Sequence, residues 1–600
     1  MDEIDIKKLA NSIKSGANLV IKNKNELNRI NIFPVADGDT GSNLAFLMQS
    51  ITDNLVSHHD TVNSLLTNVA SAALLGARGN SGMILGQYLN ALAEDYAQSD
   101  LSTEQLVFSF KTALVKVYDS LLDPKEGTIL TVISSWSEKL VDTYTKTQSL
   151  EESLSQAQMI AEKAVLETQF QMTIFKENKL VDAGAKGFYY FITGLTEAFS
   201  QNLPQELIEE TIPSSITNYP SNLTSSDHII SEKPSYRYCS EFIITQPSIS
   251  DKKLKGKLLN KGDSVIVIGN KQQLKVHIHT NNPKDVLSLL SQYGRISYQK
   301  IDDMLLQYEV NTKPVSSIAI VTDSVADIPS DLLLKYQIHV IPMPIQSESN
   351  NYLDKLSIDS QLIFEKGIKT SQCSTSQPTI QSIDNLLSFL QGKYDHVIVI
   401  TVSSKLSGTY QLVNQRIQTK KLASQWITVI DSKANSVAQG LLVMKAAELV
   451  EKSLSFNDII TNLKDTIHRL FIYVAVADLS PMLQSGRIPL SLGKIAQNCH
   501  ILPIVSLDSF GEGKLMTISF SQKQSIKKIA NKIKKLFRHH QIDRLAIAYV
   551  YSENQVELLK YYLKDYTDKI DYSVASSTSI AISAGKDSIA IAGILKKGGS

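Results

Sequence analysis

The strongest constraint on the fold is a hydrophobic periodicity that changes along the chain. Over about the first 200 residues, apolar side chains recur at helical spacing with polar residues between them, and alternating strand patterns are almost absent. We therefore predict an all-α domain at this end. The predicted helices cover residues 3 to 27, 61 to 75, 83 to 97, 103 to 121, 128 to 145 and 150 to 169.

Further along, the periodicity becomes that of strands. Alternating segments begin at Glu241, Ser264 and Leu274, and they predict a compact α+β domain. From Ser316 onward, short apolar strands alternate with helical segments, which predicts a parallel α/β sheet. These strands are expected at residues 318 to 323, 339 to 342, 396 to 402 and 427 to 431, with a helical turn at 331 to 336.

A chain of 600 residues is too long for one hydrophobic core, so several domains are expected. Residues 212 to 235 are rich in Ser, Thr, Asn and Pro and read as a linker, and a shorter break precedes the strand after Pro314. We predict three domains, at residues 1 to 205, 206 to 312 and 313 to 600.

Composition excludes several classes of function. The 60 basic and 60 acidic residues cancel, so the chain as a whole has no basic field for nucleic acid. It has three cysteines, and its first residues lack the basic and apolar regions of a signal peptide. No apolar run approaches the roughly 18 residues that span a bilayer. We expect a cytoplasmic protein without a transmembrane segment, whose membrane contacts are peripheral.

The densest chemistry lies at residues 31 to 43, which read NIFPVADGDTGSN. Asp37 and Asp39 flank a glycine, and hydroxyl and amide side chains follow. Hard oxygen donors this close together can hold Mg²⁺, which in turn binds nucleotide phosphates. The alternative is a turn of Asx type that binds nothing.

A second small-residue segment, GARGNSG at residues 76 to 82, lies between two predicted helices. Its glycines would let backbone N–H groups approach an anion, and the start of the next helix favours phosphate. The Walker and dinucleotide-binding patterns are absent. Two more loops, EGT at residues 126 to 128 and DAGAKG at residues 182 to 187, also interrupt helical segments.

The middle region contains a possible metal site. His277 and His279 are two apart on a predicted strand and therefore face the same side, and Cys239 begins another strand. Together they could form a three-ligand zinc site with an open fourth position. The alternative is an exposed histidine face beside a buried, inert cysteine.

In the last region, hydroxyl-rich loops follow the predicted strands. They lie at residues 322 to 324, 374 to 378 and 403 to 410. Ligands of parallel α/β sheets usually bind at this edge. For any single residue, the alternative is a helix cap.

The order of the first four motifs, NxFPVxDGDTGxN, GARGNSG, EGTxLTV and DAGxKG, resembles the nucleotide-binding domain of the dihydroxyacetone kinase family, and most closely its bacterial fatty acid kinase branch. The resemblance covers roughly residues 1 to 205. It implies an all-helical barrel that binds ATP at one end through Mg²⁺. It also implies Asp37 and Asp39 as metal ligands. The implied nucleotide contacts are Asn31, Thr40, Ser42, Asn43, Asn80, Ser81, Gly82, Asp182 and Gly184.

The middle region extends this resemblance. YCSE from Tyr238 and KVHIHT from Lys275 are similar to segments of the fatty acid kinase middle domain. The resemblance implies that Cys239, His277 and His279 take part in catalysis or bind zinc, and the residues do not distinguish the two.

Residues 316 to 600 resemble the DegV family of fatty-acid-binding proteins, through VTDSVADIP, TSQP, SSKLSGTYQ, VIDSKANS and SGRIP. The resemblance implies two subdomains that enclose an acyl chain and hold its carboxylate with hydroxyl groups. The implied contacts are Thr375, Ser376, Ser404, Ser407 and Arg487. The family's histidine near the C-terminus is replaced by Ser583, so Ser583 or Lys586 would have to supply this contact, or the ligand differs.

Together the resemblances imply a fatty acid kinase with its acyl-binding domain on the same chain. It would transfer the γ-phosphoryl group of ATP to a fatty acid carboxylate and so form an acyl phosphate. The alternatives are a lipid-binding carrier or regulator with a nucleotide-binding half, and a kinase for a small hydroxy compound such as dihydroxyacetone. Expected partners are a separate fatty acid carrier, a membrane-associated acyltransferase and a second copy of the chain.

Overall fold

The computed structural model describes residues 4–32, 39–56, 59–97, 102–121, 124–200, 233–347, 350–477, 501–539, 542–566 and 570–597. The chain divides into two compact units. Unit 1 comprises Met1–Asn282 and Ser288–Tyr308, and unit 2 comprises Pro283–Leu287 and Glu309–Ser600. Two predicted site residues, Asp37 and Arg487, and the predicted linker up to residue 232 lie outside the described residues.

The N-terminal part of unit 1 is helical, which confirms the prediction from periodicity. Its described helices are α1 (Ile6–Lys22), α2 (Lys24–Arg29), α3 (Thr40–Asn54), α4 (Val62–Gly76), α5 (Gly79–Ala97), α6 (Thr103–Ser120), α7 (Ile129–Thr147), α8 (Leu150–Gln171), α9 (Thr173–Asn178) and α10 (Ala183–Ser200). Helices α3, α9 and α10 were not predicted from the sequence. Helix α10 buries most of its residues, so it has no polar face to produce a clear period.

An aromatic cluster lies in the core of these helices. The Trp136 ring packs edge-on against Phe110 and Phe188, with centroid distances of 5.1 and 5.7 Å. Tyr88 packs on Phe188 in the same manner. Aromatic pairs favour this arrangement, and buried rings of this size contribute much of a core's apolar contact. The cluster thereby joins α5, α6, α7 and α10.

The rest of unit 1 is built on a four-stranded antiparallel sheet in the order β2-β3-β1-β4. Its strands are β1 (Tyr238–Thr245), β2 (Asp263–Gly269), β3 (Gln273–Thr280) and β4 (Arg295–Asp303), and α11 (Asp251–Leu258) lies between β1 and β2 in the chain. Helices α12 (Pro283–Leu290) and α13 (Met304–Thr312) each contain residues of both units. Strand β4 was not predicted from the sequence. Only Ile296 and Ile301 are buried in that strand, so its apolar alternation is weak.

Unit 2 contains a parallel four-stranded sheet in the order β11-β10-β5-β6, as the sequence predicts for an α/β domain. The strands are β5 (Ile318–Asp323), β6 (His339–Ile341), β10 (His396–Thr401) and β11 (Ile427–Asp431), and a small sheet is formed by β7 (Pro344–Gln346), β8 (Asn351–Leu353) and β9 (Ser374–Thr375). The helices are α14 (Ser330–Lys335), α15 (Ser360–Glu365), α16 (Ile380–Leu390), α17 (Thr409–Thr419), α18 (Ser436–Glu451) and α19 (Phe456–Ile467).

A second, six-stranded sheet of unit 2 was not predicted. Its order is β14-β13-β12-β17-β15-β16, and every pair is antiparallel except β15 with β16. The strands are β12 (Leu470–Ala475), β13 (Leu502–Leu507), β14 (Gly513–Ser519), β15 (Ile542–Tyr549), β16 (Ile570–Ala575) and β17 (Ile589–Leu595), with helices α20 (Gln522–His539), α21 (Asn554–Tyr562) and α22 (Thr578–Ala584). Among the described helices of the chain, none combines the length and apolar character needed to cross a membrane.

His339, in β6, is a buried titratable group of unit 2. Its Nε2 lies 3.0 Å from the Tyr394 hydroxyl, and its ring packs edge-on against Tyr394 and Phe389. Burial lowers the pKa of His339 from 6.5 to about 4. The imidazole is therefore neutral in the folded protein near neutral pH.

We expect His339→Phe to reduce the loss of stability of unit 2 on acidification. When the pH is below 6.5, the unfolded chain protonates His339 and the folded chain does not. Buried neutral His339 therefore lowers the free energy of unfolding progressively as the pH falls from 6.5 towards about 4, and it has no such effect above pH 6.5. Over that range the effect approaches about 3 kcal/mol. The free energy of unfolding, measured by denaturant titration at several pH values, should fall less steeply for the variant. Parallel curves for the two proteins would contradict the assignment.

Candidate functional site

Three neighbouring strands of the sheet in unit 1 each carry two chemically active side chains, two residues apart. The pairs are Cys239 and Glu241 on β1, His277 and His279 on β3, and Lys300 and Asp302 on β4. Residues two apart on a strand face the same side. The strand register places His279, Cys239 and Asp302 in one row and His277, Glu241 and Lys300 in the next. The result is a two-by-three grid of reactive groups on one face.

This grid faces the starts of two helices across a cavity of about 60 Å³. From the helical part, the lining residues are Asn31, Asp39, Thr40, Asn43, Arg78, Gly79, Asn80 and Ser81. All six residues of the grid also line the cavity, together with Met304 and Gln307. The structure thus brings together two constellations that are about 200 residues apart in the sequence.

The predicted glycine-rich loop is shorter than expected. Helix α4 ends at Gly76 and α5 begins at Gly79, so Asn80, Ser81 and Gly82 form the first turn of a helix. Gly79 has a φ of +59°, and a Cβ there would lie 2.6 Å from the Asn43 Nδ2 atom. A residue with a side chain would therefore be both strained and crowded at this position. The prediction of a loop through residue 82 was wrong, although a helix start remains suited to phosphate.

Glu241 connects the grid to this helix start. One of its carboxylate oxygens, Oε1, accepts a hydrogen bond of 2.8 Å from the Gly79 backbone N–H and lies 3.6 Å from His277 Nδ1. The other, Oε2, lies 3.9 Å from Lys275 Nζ. Burial opposes its ionisation, but His277, Lys275 and Lys300 outweigh that effect and hold the pKa of Glu241 well below its usual range. Glu241 is therefore a buried anion beside basic side chains.

Helix α3 positions the oxygen donors on the opposite wall. Asp39 immediately precedes the helix, and its Oδ1 accepts a hydrogen bond from Asn43 Nδ2 at 2.8 Å. The Thr40 hydroxyl donates to Asn31 Oδ1 at 2.7 Å. These contacts bring Asp39, Asn31, Thr40 and Asn43 to the same wall of the cavity.

Ser42 and Gly82 do not line the cavity. The Ser42 N–H donates to Asn28 Oδ1 at 2.8 Å, and Asn28 Nδ2 donates to the Ser42 hydroxyl at 2.9 Å. A Cβ at Gly82 would meet Ala77 and Asn43 at ordinary contact distance. In the described structure, these two predicted contacts therefore lie behind the wall.

Asp182 and Gly184 also support the wall from behind. Asp182 Oδ2 accepts the Ala185 N–H at 2.6 Å, at the start of α10. Burial raises the pKa of Asp182 to about 6, although the N–H groups of Ala185, Ile129 and Gly184 oppose the increase. A Cβ at Gly184 would lie 2.5 Å from the Ser81 hydroxyl oxygen. Gly184 thus permits the close packing of α10 against the start of α5.

Cys239, His277 and His279 lie close enough to share a metal ion. One ligand atom from each lies within 4.8 Å of the others. His277 Nε2 is buried without a hydrogen-bond partner, whereas His279 Nδ1 lies 3.2 Å from Asp263 Oδ1. Burial raises the pKa of the Cys239 thiol and lowers the pKa of His277. A thiolate and two neutral imidazoles are ligands that Zn²⁺ accepts, so these residues fit zinc.

Four residues of the site were missed from the sequence as functional candidates: Arg78, Glu241, Lys300 and Asp302. A signal for three of them was present, because CSE, HIH and KID share one pattern of reactive residues two apart. This pattern could be recognised only if residues 295–303 were predicted as a strand, and their apolar alternation is too weak for that prediction. Arg78 had no such signal, and its guanidinium Cζ lies 3.3 Å from the centre of the Phe46 ring.

Unit 2 contains a larger cavity, of about 490 Å³. Apolar side chains from β12, β13, β14 and β17 form much of its wall. Neutral polar groups line another part, namely Thr375, Ser376, Gln377, Ser407, Asn435, Ser436, Ser506, Ser579 and Ser583, and Lys514 also contributes. Asn435 Oδ1 is buried without a hydrogen-bond partner. The cavity therefore combines an apolar slot with groups that can hydrogen-bond to a polar head.

Among the predicted contacts of unit 2, Thr375, Ser376 and Ser407 line this cavity and Ser404 does not. The Ser404 hydroxyl and N–H both donate to the Asp431 carboxylate, at 2.5 and 3.1 Å. Ser583 lies in the cavity wall and donates to the Ser579 carbonyl at 3.1 Å. Lys586 lies over the Tyr551 ring, 4.0 Å from its centre, and is not part of the wall.

Family models match three parts of the chain. Residues 34–197 match the DAK2 domain, and residues 235–311 match the FakA-like middle domain of the fatty acid kinase type. Residues 317–596 match the DegV family.

Relatives and solved structures also resemble the chain. An uncharacterized protein of Staphylococcus epidermidis is 27% identical over 352 residues, which cover 54% of this chain and 62% of that protein. An uncharacterized protein of Mycoplasma genitalium is 28% identical over 336 residues, which cover 52% and 58%. The chain thus spans less than two thirds of the length of these curated relatives.

Two solved structures are similar to part of the chain. A DegV-family protein from Thermus thermophilus, described by its fatty acid binding, is 23% identical, and the match covers 46% of this chain and 99% of that chain with a TM-score of 0.43. DegV from Bacillus subtilis, described as a fatty acid binding protein, is 25% identical, with coverage of 47% and 100% and a TM-score of 0.42.

We expect Glu241→Gln to destabilise unit 1 by about 3 kcal/mol, because it leaves the Lys275 ammonium buried without a counter-ion. Burial lowers the pKa of Lys275 to about 8 despite Glu241, so loss of its proton limits the cost. The double variant Glu241→Gln, Lys275→Met should recover most of the lost stability. Denaturant unfolding of the two single variants and the double variant measures the coupling. Additive effects would show that the two groups do not interact.

Proposed function

We propose that this chain, which carries a DAK2 domain, a FakA-like middle domain and a DegV-family domain, is a fatty-acid-kinase-like enzyme. In this proposal it transfers the γ-phosphoryl group of ATP to the carboxylate of a fatty acid and forms an acyl phosphate. One observation carries the proposal. The oxygen donors around Asp39 and the Cys, His and Lys side chains of the middle sheet line the same cavity.

The residues of the helical wall fit Mg²⁺ and nucleotide phosphates. Asp39 supplies a carboxylate, and Asn31, Thr40 and Asn43 add amide and hydroxyl groups beside it. Asn80 Oδ1 is buried without a hydrogen-bond partner at the start of α5. We assign Asp39, with Asp37, to the metal, and Thr40, Asn43, Asn80 and Ser81 to the phosphates. When bound, Mg²⁺ supplies positive charge that neutralises the phosphate oxygens.

The middle sheet would receive the acceptor carboxylate. A fatty acid carboxylate is already ionised near neutral pH, so transfer needs no strong base. It depends mainly on positioning and charge neutralisation. Cys239, His277 and His279 would then orient the carboxylate, either directly as hydrogen-bonding groups or as ligands of Zn²⁺, which supplies a Lewis acid when bound.

The cavity of unit 2 suits the acyl substrate. Its apolar strands match an alkyl chain, and the hydroxyl groups of Thr375, Ser376 and Ser407 can donate hydrogen bonds to a carboxylate. In this chain Ser583 would take the position of the histidine that is usual in the family. A kinase and an acyl-binding domain on one chain raise the effective concentration of each for the other.

Several finer predictions remain part of this proposal. They are the helical barrel of the first domain, the two subdomains of the DegV part, and domain limits at residues 205 and 312. They also include a homodimer, a cytoplasmic location, and a separate carrier and an acyltransferase as partners.

The central test is formation of acyl phosphate from Mg-ATP and oleate, trapped with hydroxylamine. We expect product from the purified chain without an added carrier, and a loss of at least about 100-fold in the Asp39→Asn variant, because one metal-binding carboxylate is removed. Ser42→Ala is the matched control, because its hydroxyl contacts Asn28 and not the cavity, and it should lose less than about 10-fold. Absence of product from the wild-type chain, both alone and with an added fatty-acid carrier, would reject the proposed reaction.

A second test concerns the acyl site. We expect Ser407→Ala and Thr375→Val each to weaken oleate binding by about 10-fold, since each removes a hydrogen bond to a charged group. Ser404→Ala should have a clearly smaller effect, because Ser404 contacts Asp431 outside the cavity. Titration calorimetry with oleate measures the three dissociation constants. An equal or larger effect of Ser404→Ala would mean that the oleate carboxylate binds beside Ser404 and not beside Ser407.

A further inference from the structure

Lys300, on β4 of the four-stranded sheet, lines the cavity of unit 1. Its neighbour in the grid, Glu241, is turned towards Gly79, and Lys275 lies one row deeper, outside the lining. The Lys300 side chain is 21% exposed and lies 2.6 Å from Asp302, two residues along the same strand. Burial opposes its charge, but Asp302, Glu241 and Asp39 together keep the pKa of Lys300 above its ordinary value. The side chain is therefore a fixed positive charge facing the wall that contains Asp39.

The size of the cavity indicates what this charge could bind. Its 60 Å³ is about four to six times the space that one water molecule requires. That volume accommodates one phosphate or carboxylate group with a few waters. The opposite wall contains the polar side chains of Asn80 and Ser81 at the start of α5.

The pairing of Lys300 with Asp302 does not prevent such binding. Both side chains are partly exposed, and an ion pair of this kind contributes little net stability. A terminal phosphoryl group carries more charge than one carboxylate and offers three acceptor oxygens. Lys300 can therefore exchange its partner for a ligand, or contact both.

We propose that Lys300 binds the terminal phosphoryl group of the nucleotide and is the residue by which the site distinguishes ATP from ADP. The inference rests on the proposed function and extends it to a residue of the middle sheet. In the transfer, the bond between the γ-phosphorus and the β,γ-bridging oxygen breaks, and ADP leaves with that electron pair. A carboxylate oxygen of the fatty acid forms the new bond to phosphorus, and no proton moves. Lys300 would contact the phosphoryl oxygens before and during this step.

The test is direct binding of nucleotides to the full chain in the presence of Mg²⁺. We expect Lys300→Met to weaken binding of a non-hydrolysable ATP analogue by at least about 10-fold, as for loss of one charge-assisted hydrogen bond. Binding of ADP should change by less than about twofold, because ADP lacks the contacted group. Lys300→Arg should retain most of the preference for the ATP analogue. Lys271→Met removes a lysine at the exposed β2–β3 turn of the same sheet and should leave both affinities unchanged.

Asp302→Asn separates a ligand contact from a structural ion pair. If Lys300 serves only to pair with Asp302, the variants Lys300→Met and Asp302→Asn should have the same effect on both nucleotides. If Lys300 binds the phosphoryl group, Asp302→Asn should preserve or strengthen binding of the ATP analogue. Equal losses for the ATP analogue and ADP in Lys300→Met, or no loss, would overturn the proposal. A wild-type chain that binds the two equally would also overturn it.

These measurements do not require acyl phosphate to form. A chain that discriminates ATP from ADP through Lys300 but yields no acyl phosphate would retain this inference and reject the proposed reaction. A chain that forms acyl phosphate but does not discriminate ATP from ADP through Lys300 would retain the proposed reaction and reject this inference.

Discussion

The hydrogen bond from the Gly79 N–H to the Glu241 carboxylate is the contact on which the site of unit 1 depends. It joins the start of a helix to the face of a sheet formed much later in the chain. A helix start has unpaired N–H donors and favours negative charge, so a buried carboxylate is a suitable partner. The same carboxylate is the neighbour of His277, Lys275 and Lys300. One residue therefore connects the helical wall of the cavity to the grid of reactive side chains on the sheet.

That arrangement also determines the charge balance of the site. Among the described residues, three cations and three carboxylates lie in or directly behind the cavity, namely Arg78, Lys275 and Lys300 with Asp39, Glu241 and Asp302. The described groups of the site thus carry no surplus positive charge for a triphosphate. The proposed ligand would therefore need to arrive with cations of its own, which is consistent with the assignment of Asp39 to Mg²⁺. Lys300 would act on only one phosphoryl group, where its geometry matters more than its contribution to total charge.

The sequence predicted those parts of the structure that local patterns encode. Helical periodicity identified most helices of the first 200 residues, and β-branched runs identified the parallel strands of unit 2. It missed α10, which is buried on nearly all sides, and β4, whose apolar alternation is weak. It identified Asp39, Cys239, His277 and His279 as candidates, but not that they share one cavity. Cross-strand register places Glu241 and Lys300 beside His277 in the site. Register depends on the pairing of distant strands, which no local sequence pattern contains. Ser404 and Ser407 show the same limit, since one faces Asp431 and the other lines a cavity.

The two cavities suit different tasks in the same proposed reaction. The wall in unit 1 places charged groups near one another, which would strengthen interactions with the phosphoryl group of the proposed reaction in a partly desolvated space. The polar wall in unit 2 is made mainly of neutral hydroxyl and amide groups beside an apolar slot. Neutral donors hold a carboxylate less tightly than a buried cation would, because each such hydrogen bond contributes only about 1.5–3 kcal/mol. Most of the affinity for an acyl ligand would then come from its chain, at about 0.8 kcal/mol for each buried methylene. A carboxylate held in this way could leave the hydroxyl groups without breaking a strong ion pair, while the alkyl chain stays in the apolar slot.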